Sequence, residues 1–167
     1  MLVSTAPRAA SQAETVERFR QVGGEQAAAA MALSFAKATE QAQQQLAQHC
    51  APLLSVRPPT AEYDRVMQAR IGTPEVNRHF TPSIPDMDLR PGLAAVRCPV
   101  LVLVGEQDPL VPPSNAEEAV VAIPDNLATL HRVTNAGHQV LWDAPNIVED
   151  VLRPFVGRCA KLARAQS

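Results

Sequence analysis

Aromatic residues are scarce, at 4% of the 167-residue chain, so a core here is built mostly from Ala, Leu and Val. Cysteine is scarce too. Cys50, Cys98 and Cys159 are odd in number and widely spaced, with no C-x-x-C pair, which excludes a disulfide framework. Three free thiols suit a reducing compartment, and a cytoplasmic location is expected. No apolar run approaches the ~20 residues that a membrane-spanning helix needs. The opening MLVSTAPRAAS lacks the charged start and long apolar stretch of a secretory signal. A formal net charge of −2, with no basic stripe among aromatics, excludes nucleic acid as an expected partner. Metal-ligand spacing is missing as well. His49 and Cys50 are adjacent, and adjacent helical side chains point about 100° apart, so they chelate poorly. No second pair stands at ligand spacing, and neither a metal nor a cofactor is expected. His79 and His131 read as surface or sheet-face residues.

What is present divides into three parts, with boundaries at 1–7, 8–91 and 92–167. The first, Leu2 to Ser4, is a scrap of apolar sequence that reads as the tail of a strand. The second is helical and broken by prolines. Ser11 with Glu14 forms a capping box, and Gly23-Gly24 is expected to stop that helix. The Ala/Gln-rich stretch after it favours helix by propensity and is expected to break near Ala38–Thr39. Thr60 caps a helix through about Ile71, and TPEVNRHF begins another with Pro in its first turn. TPSIPDMDLRPG is then the best internal boundary.

The third part alternates strand and helix. Val100 to Val104 is an unbroken apolar run, the pattern of a parallel strand covered on both faces. Ser114 with Glu117 is expected to cap a helix near Asn115–Ile123, and ATLHRV reads as the next strand. Asp143 with Pro145 opens a last helix, with a bend expected at Pro154. Strand–helix–strand–helix at this spacing implies an α/β class with a parallel sheet.

Two residues carry the chemistry. In open α/β sheets, active residues gather beyond the carboxyl ends of the strands. Asp108 lies four residues past the Val100–Val104 run, and His138 five past Val133. Each alone has a plain structural reading, Asp108-Pro109 as a turn initiator and His138 as an ordinary loop histidine. Together they form a candidate acid–base pair, in which the carboxylate fixes the imidazole tautomer and frees the other nitrogen as a base. Trp142, close after His138, reads either as a pocket wall or as core.

RCPVLVLVGEQDPLVPP and VTNAGHQVLWDAPNIVEDVLRPFV resemble the end of an α/β-hydrolase, with its acid strand, histidine loop and final helix. ERFRQVGGEQAAAA, TPEVNRHF and MDLRPGLAAVRCP resemble the helical cap of proline iminopeptidase-like members, and LVSTAPR the strand leading into it. The resemblance implies the C-terminal part of an α/β-hydrolase fold, its last parallel strands with flanking helices plus a helical cap. It further implies an aminopeptidase-like serine hydrolase with Asp108 as the acid and His138 as the base, acting on a small molecule or short peptide. The family often has Glu where this chain has Asp143, a departure given no catalytic weight. Iminopeptidases of this type hold the substrate amino group with cap carboxylates. Glu25, Glu62 and Glu75 lie in that region but read better as solvated helix-end charges.

The family's nucleophile sits on a G-x-S-x-G elbow that precedes the acid and the histidine. No serine here is so flanked, and the H-G oxyanion loop is also missing. The nearest imitation, Gly157 to Cys159, follows the histidine and lacks the closing glycine. The expectation is a truncated hydrolase, inactive alone, with an open sheet edge prone to self-association. The alternatives are one chain of a split hydrolase completed by a partner, and a non-catalytic binding module. Ester and epoxide substrates are not separable from peptides at this stage.

Overall fold

The computed structural model describes residues 1–37, 39–69, 76 and 79–165. Its sheet has three parallel strands in the order β1-β2-β3: β1 (Leu2–Val3), β2 (Val100–Gly105) and β3 (Ala128–Val133). Val102 pairs with Leu2 on one side and Leu130 on the other. As the apolar run predicts, every residue of β2 is buried. Its alternate side chains enter two separate cores. Leu101 and Leu103 pack with Val133, Val140, Val148 and Phe155, while Val100, Val102 and Val104 pack with Ala116 and Ile123. The first core is closed by α6 (Val140–Asp143) and α7 (Pro145–Ala165), the second by α5 (Pro113–Ala122). Burying each Val or Leu of β2 contributes about 1.5–3 kcal/mol, which makes this strand the spine of the sheet.

Between β1 and β2 the chain makes a helical excursion. It begins with α1 (Gln12–Ala36) and α2 (Glu40–His49), which pack together. A 3-10 turn (Ala51–Leu54) and α3 (Ala61–Gln68) follow. Ser11, Thr39 and Thr60 cap the three helices through their hydroxyls, each accepting from a backbone amide three residues on. Phe19, Ala27, Ala30, Met31 and Cys50 form the excursion's own core, and small alanines let α1 and α2 approach closely. A second 3-10 turn (Thr81–Asp86) and α4 (Arg90–Ala94) lead back to β2.

The two ends of the excursion are stitched together. Ala9 N–H donates to Met87 O at 3.1 Å and Leu89 N–H to Pro7 O at 2.7 Å, forming an antiparallel bridge between Arg8 and Asp88. Around it, Glu118 of α5 accepts from both Arg8 and Arg90, while Arg90 also grips Asp88. Met87 to Leu89 of TPSIPDMDLRPG thus run antiparallel to the residues that enter the excursion.

Gly23-Gly24 interrupts the first helix as expected: Gly24 takes a non-helical φ of 73° and ψ of −168°, so α1 is two helical stretches joined at a kink. Other expectations need correction. The helix after β2 is not capped by Ser114. It begins two residues earlier than expected, at Pro113 behind Pro112, because proline's fixed φ suits a first helical turn. Glu117 instead pairs with Arg132 of β3. Asp143 does not open the last helix. It closes α6, and α7 starts afresh at Pro145 and continues through Pro154. The Thr60-capped helix is described to its end at Gln68, while Ile71 and the helix start at Pro74 lie outside the described residues, as does Ala38 at the expected break; Thr39 beside it caps α2.

Candidate active site

Asp108 and His138 meet at the carboxyl rim of the sheet, each on the loop that follows its own strand. Asp108 Oδ2 lies 2.9 Å from His138 Nδ1. Its other oxygen, Oδ1, accepts the amides of Leu110 at 2.9 Å and Val111 at 2.8 Å. Oδ1 thus makes the turn of the turn-initiator reading, while Oδ2 faces the imidazole. The Asp108 side chain is fully buried, whereas the His138 side chain keeps 26% exposure. An ionised carboxylate only accepts, so Nδ1 carries the proton in the neutral ring and the Nε2 lone pair is free for a reacting group.

Backbone contacts hold the pair at this distance. Glu106 N–H donates to Val133 O at 3.1 Å and Gln107 N–H to Ala136 O at 2.9 Å, lacing the acid loop to the histidine loop. The histidine loop turns through Asn135, at a left-handed φ of 53°. It then crosses so close over the end of β2 that a Cβ on Gly105 would lie 2.2 Å from Gly137 O and 2.4 Å from Ala136 O. Only glycine fits there. From the helical side, Arg18 Nε donates to Pro109 O at 3.0 Å, and Leu110 packs against the α1–α2 core.

His138 borders a cleft of about 410 Å³ lined by Ser4, Tyr63, Val66, Gln139 and Trp142 among others. Trp142 is a wall of it. Its ring centroid stands 5.0 Å from that of Tyr63, and the Arg57 guanidinium lies 5.6 Å from it on another side. Ser4, just past β1, has a φ of 46° and donates its amide to Leu103 O. Its hydroxyl is buried without a hydrogen-bond partner, so it offers no attacking oxygen to the cleft.

Asp143 went unrecognised as part of this site in the sequence. Its Oδ2 accepts Gly137 N–H at 2.7 Å, next to His138, while Oδ1 accepts the Ser55 hydroxyl and the Val56 and Arg57 amides. Residue type gives no signal for it, since its helix is a single turn of four residues and most of its donors are backbone amides of other segments.

The remaining candidates stay apart. Glu25 is exposed and paired with Arg20, and Glu62 is exposed in the first turn of α3; Glu75 lies outside the described residues. Cys50 is buried, with its thiol donating to Ala27 O, and burial pushes its pKa up. His79 stacks edge-on against Phe80, and His131 lies half-buried on β3. Among the described residues no group of three His, Cys, Asp or Glu could hold a metal ion, and no helix is long and apolar enough to cross a membrane.

No family model and no curated protein matches the sequence. Solved structures do match in fold. Proline iminopeptidase from Mycobacterium smegmatis is similar at 20% identity and a TM-score of 0.67, over 96% of this chain and 57% of that one. An esterase from Exiguobacterium antarcticum aligns at 15% identity and a TM-score of 0.57, over 88% and 48%. MenH from S. aureus aligns at 19% identity and a TM-score of 0.57, over 94% and 57%. The chain spans about half the length of each of these neighbours. It has an α/β-hydrolase fold in part: three parallel strands with their flanking helices and a helical excursion above the strand ends.

Proposed function

We propose that this chain supplies the acid and the base of a serine hydrolase of aminopeptidase type, with Asp108 as the acid and His138 as the base. The observation that carries the reading is the 2.9 Å contact between a fully buried carboxylate and a partly exposed imidazole at the strand rim. A surface ion pair would not bury its acid and leave its histidine bordering a cleft. In the reaction, His138 Nε2 takes the proton of a serine hydroxyl as that oxygen attacks the substrate carbonyl. It then returns the proton to the leaving amine, while Asp108 holds the imidazolium. The helical excursion, residues 8–91, acts as the cap over the substrate. The iminopeptidase-like pattern of that segment, together with the fold likeness to proline iminopeptidase, favours a short peptide with a free amino end over an ester.

The nucleophile and the oxyanion donors come from outside this chain's residues, so the chain alone is inactive. The outer edge of β1 is where they dock. Among the described residues β1 pairs only with β2, and Val3 packs into the α7 core at the sheet's open side. Nearby, Leu141, Val148, Leu152 and Val156 line an apolar groove of about 420 Å³. A parallel strand followed by a helix, carrying the serine between them, matches an unpaired edge beside an apolar groove. Without that partner, the same edge drives self-association.

The test uses prolyl-4-nitroanilide and 4-nitrophenyl acetate as probes. The purified chain alone is expected to turn over neither. A preparation holding a second chain with G-x-S-x-G should hydrolyse the anilide, and His138→Ala should lower that rate at least about a thousandfold. Turnover that survives His138→Ala would overturn the assignment. Turnover by the isolated chain that depends on His138 would keep the pair and overturn the external nucleophile.

A further inference from the structure

Leu54 to Arg57, at the foot of the helical excursion, is fastened to the histidine loop at several points. Gln139 N–H donates to Leu54 O at 3.0 Å. Asp143 takes Gly137 N–H on one oxygen and Ser55 Oγ, Val56 N–H and Arg57 N–H on the other. Arg57 Nη1 donates back to Trp142 O at 2.9 Å, and Gln139 Nε2 to Tyr63 Oη at 2.8 Å. A Cβ on Gly137 would come within 2.8 Å of Leu54 O, so the two backbones touch.

We propose that Asp143 is a positioning residue: its buried carboxylate locks the loop carrying His138 to residues 54–57, so that the placement of the helical excursion sets the aim of the imidazole. Its meaning for catalysis rests on the acid–base reading above, but the clamp itself does not. The chemistry favours a carboxylate over an amide at this position. Four donors converge on two oxygens that only accept, whereas Asn would turn one oxygen into an NH2 group facing an N–H. The carboxylate reaches both segments at once, since Ser55 meets it from one side and Gly137 from the other. Asp108 orients the ring from one end of the loop, and Asp143 anchors the other. A ligand that shifts α3, which carries Tyr63, would thereby move Gln139 next to the base.

The test reads His138 directly and needs no turnover. In the full chain, NMR follows the His138 ring signals and amide exchange at Gly137, Val56 and Arg57, with Leu101 to Val104 as the reference for global opening. Asp143→Asn is expected to speed exchange at the three clamp amides at least about tenfold more than in β2 and to shift the ring signals; Asp143→Glu should restore part of both. Ser55→Ala and Tyr63→Phe, neither of which is hydrogen-bonded to His138, should also move its ring signals. Exchange that rises equally everywhere would reduce Asp143 to a general stabiliser and overturn the proposal. Ring signals unmoved in Asp143→Asn, or in both Ser55→Ala and Tyr63→Phe, would overturn the coupling. If the clamp result holds while His138→Ala leaves hydrolysis intact, the catalytic reading fails and the clamp stands.

Discussion

Gly105→Ala puts the closeness of the two rim loops to a numerical test. The added methyl would meet Gly137 O at 2.2 Å and Ala136 O at 2.4 Å, where ordinary van der Waals contact starts at about 3.4 Å. About 1.2 Å of separation must therefore be found, and both obstacles are backbone, which no side-chain rotation removes. Moving the histidine loop breaks Gln107 N–H to Ala136 O and stretches the 2.9 Å contact between Asp108 and His138. Overpacking of a buried site costs about 1–3 kcal/mol, and a backbone obstacle puts this case near the top, at about 2–3 kcal/mol. For a chain of this length that is a fall in Tm of about 4–12 °C. Gly157→Ala is the matched control. Gly157 is an exposed residue of α7 with nothing within 4 Å of its would-be Cβ, and alanine there should gain about 0.5–1 kcal/mol. Thermal melts of both variants, with the proton between His138 Nδ1 and Asp108 followed by NMR, decide the matter. A Gly105→Ala protein that melts with the parent and keeps that proton unshifted would refute the packing argument. In an assembled hydrolase, the same displacement should cost about a hundredfold in rate.

Asp88 gives a pH prediction. Hydrogen bonds from Arg90 hold its carboxyl down at about 2, below the ordinary 3.8. A lowered folded-state pKa means its contribution is complete above about pH 4 and is lost as pH falls towards 2. The crossing of entry and exit strands should therefore loosen in that window, read by NMR titration of the Asp88 carboxyl and the Leu89 amide. A midpoint near the ordinary value would remove the ion pair from the account. Thiol labelling gives another prediction. Cys98 is exposed and should react first with a disulfide reagent, while Cys50, buried and pushed up in pKa, should react about a hundredfold more slowly. Equal rates would mean that the α1–α2 core opens readily.

The sheet was legible because its signals are local and redundant. The run from Val100 to Val104 has no polar residue, so whichever face each side chain takes is buried, and period and composition agree. The pair was legible for a related reason. Each residue follows its own strand at nearly equal distance, and parallel neighbours end at one rim. Helix starts fared worse where two rules competed. Pro113 and Ser114 both make good openings, and Pro112 with Pro113 fixes the turn before the serine can act as a cap. Gly24 does interrupt the helix as the Gly-Gly pair signals, while Phe19 before it and Ala27 after it pack into one core.

Asp143 was beyond the sequence for a deeper reason. Its partners Ser55, Val56 and Arg57 lie more than eighty residues away, and three of its four donors are backbone amides, which leave no trace in residue type. Asp108 shows the opposite case, since two of the three bonds of its carboxylate are made within three residues and the turn alone betrays its position. The two acids do the same physical work, each burying a carboxylate by filling its lone pairs with donors. What separates them is the range over which the donors are collected. Local collection writes a motif such as Asp-Pro into the chain, while distant collection leaves none. Asp143 therefore shows its role only once the fold is built, where it fastens the histidine loop to Ser55, Val56 and Arg57.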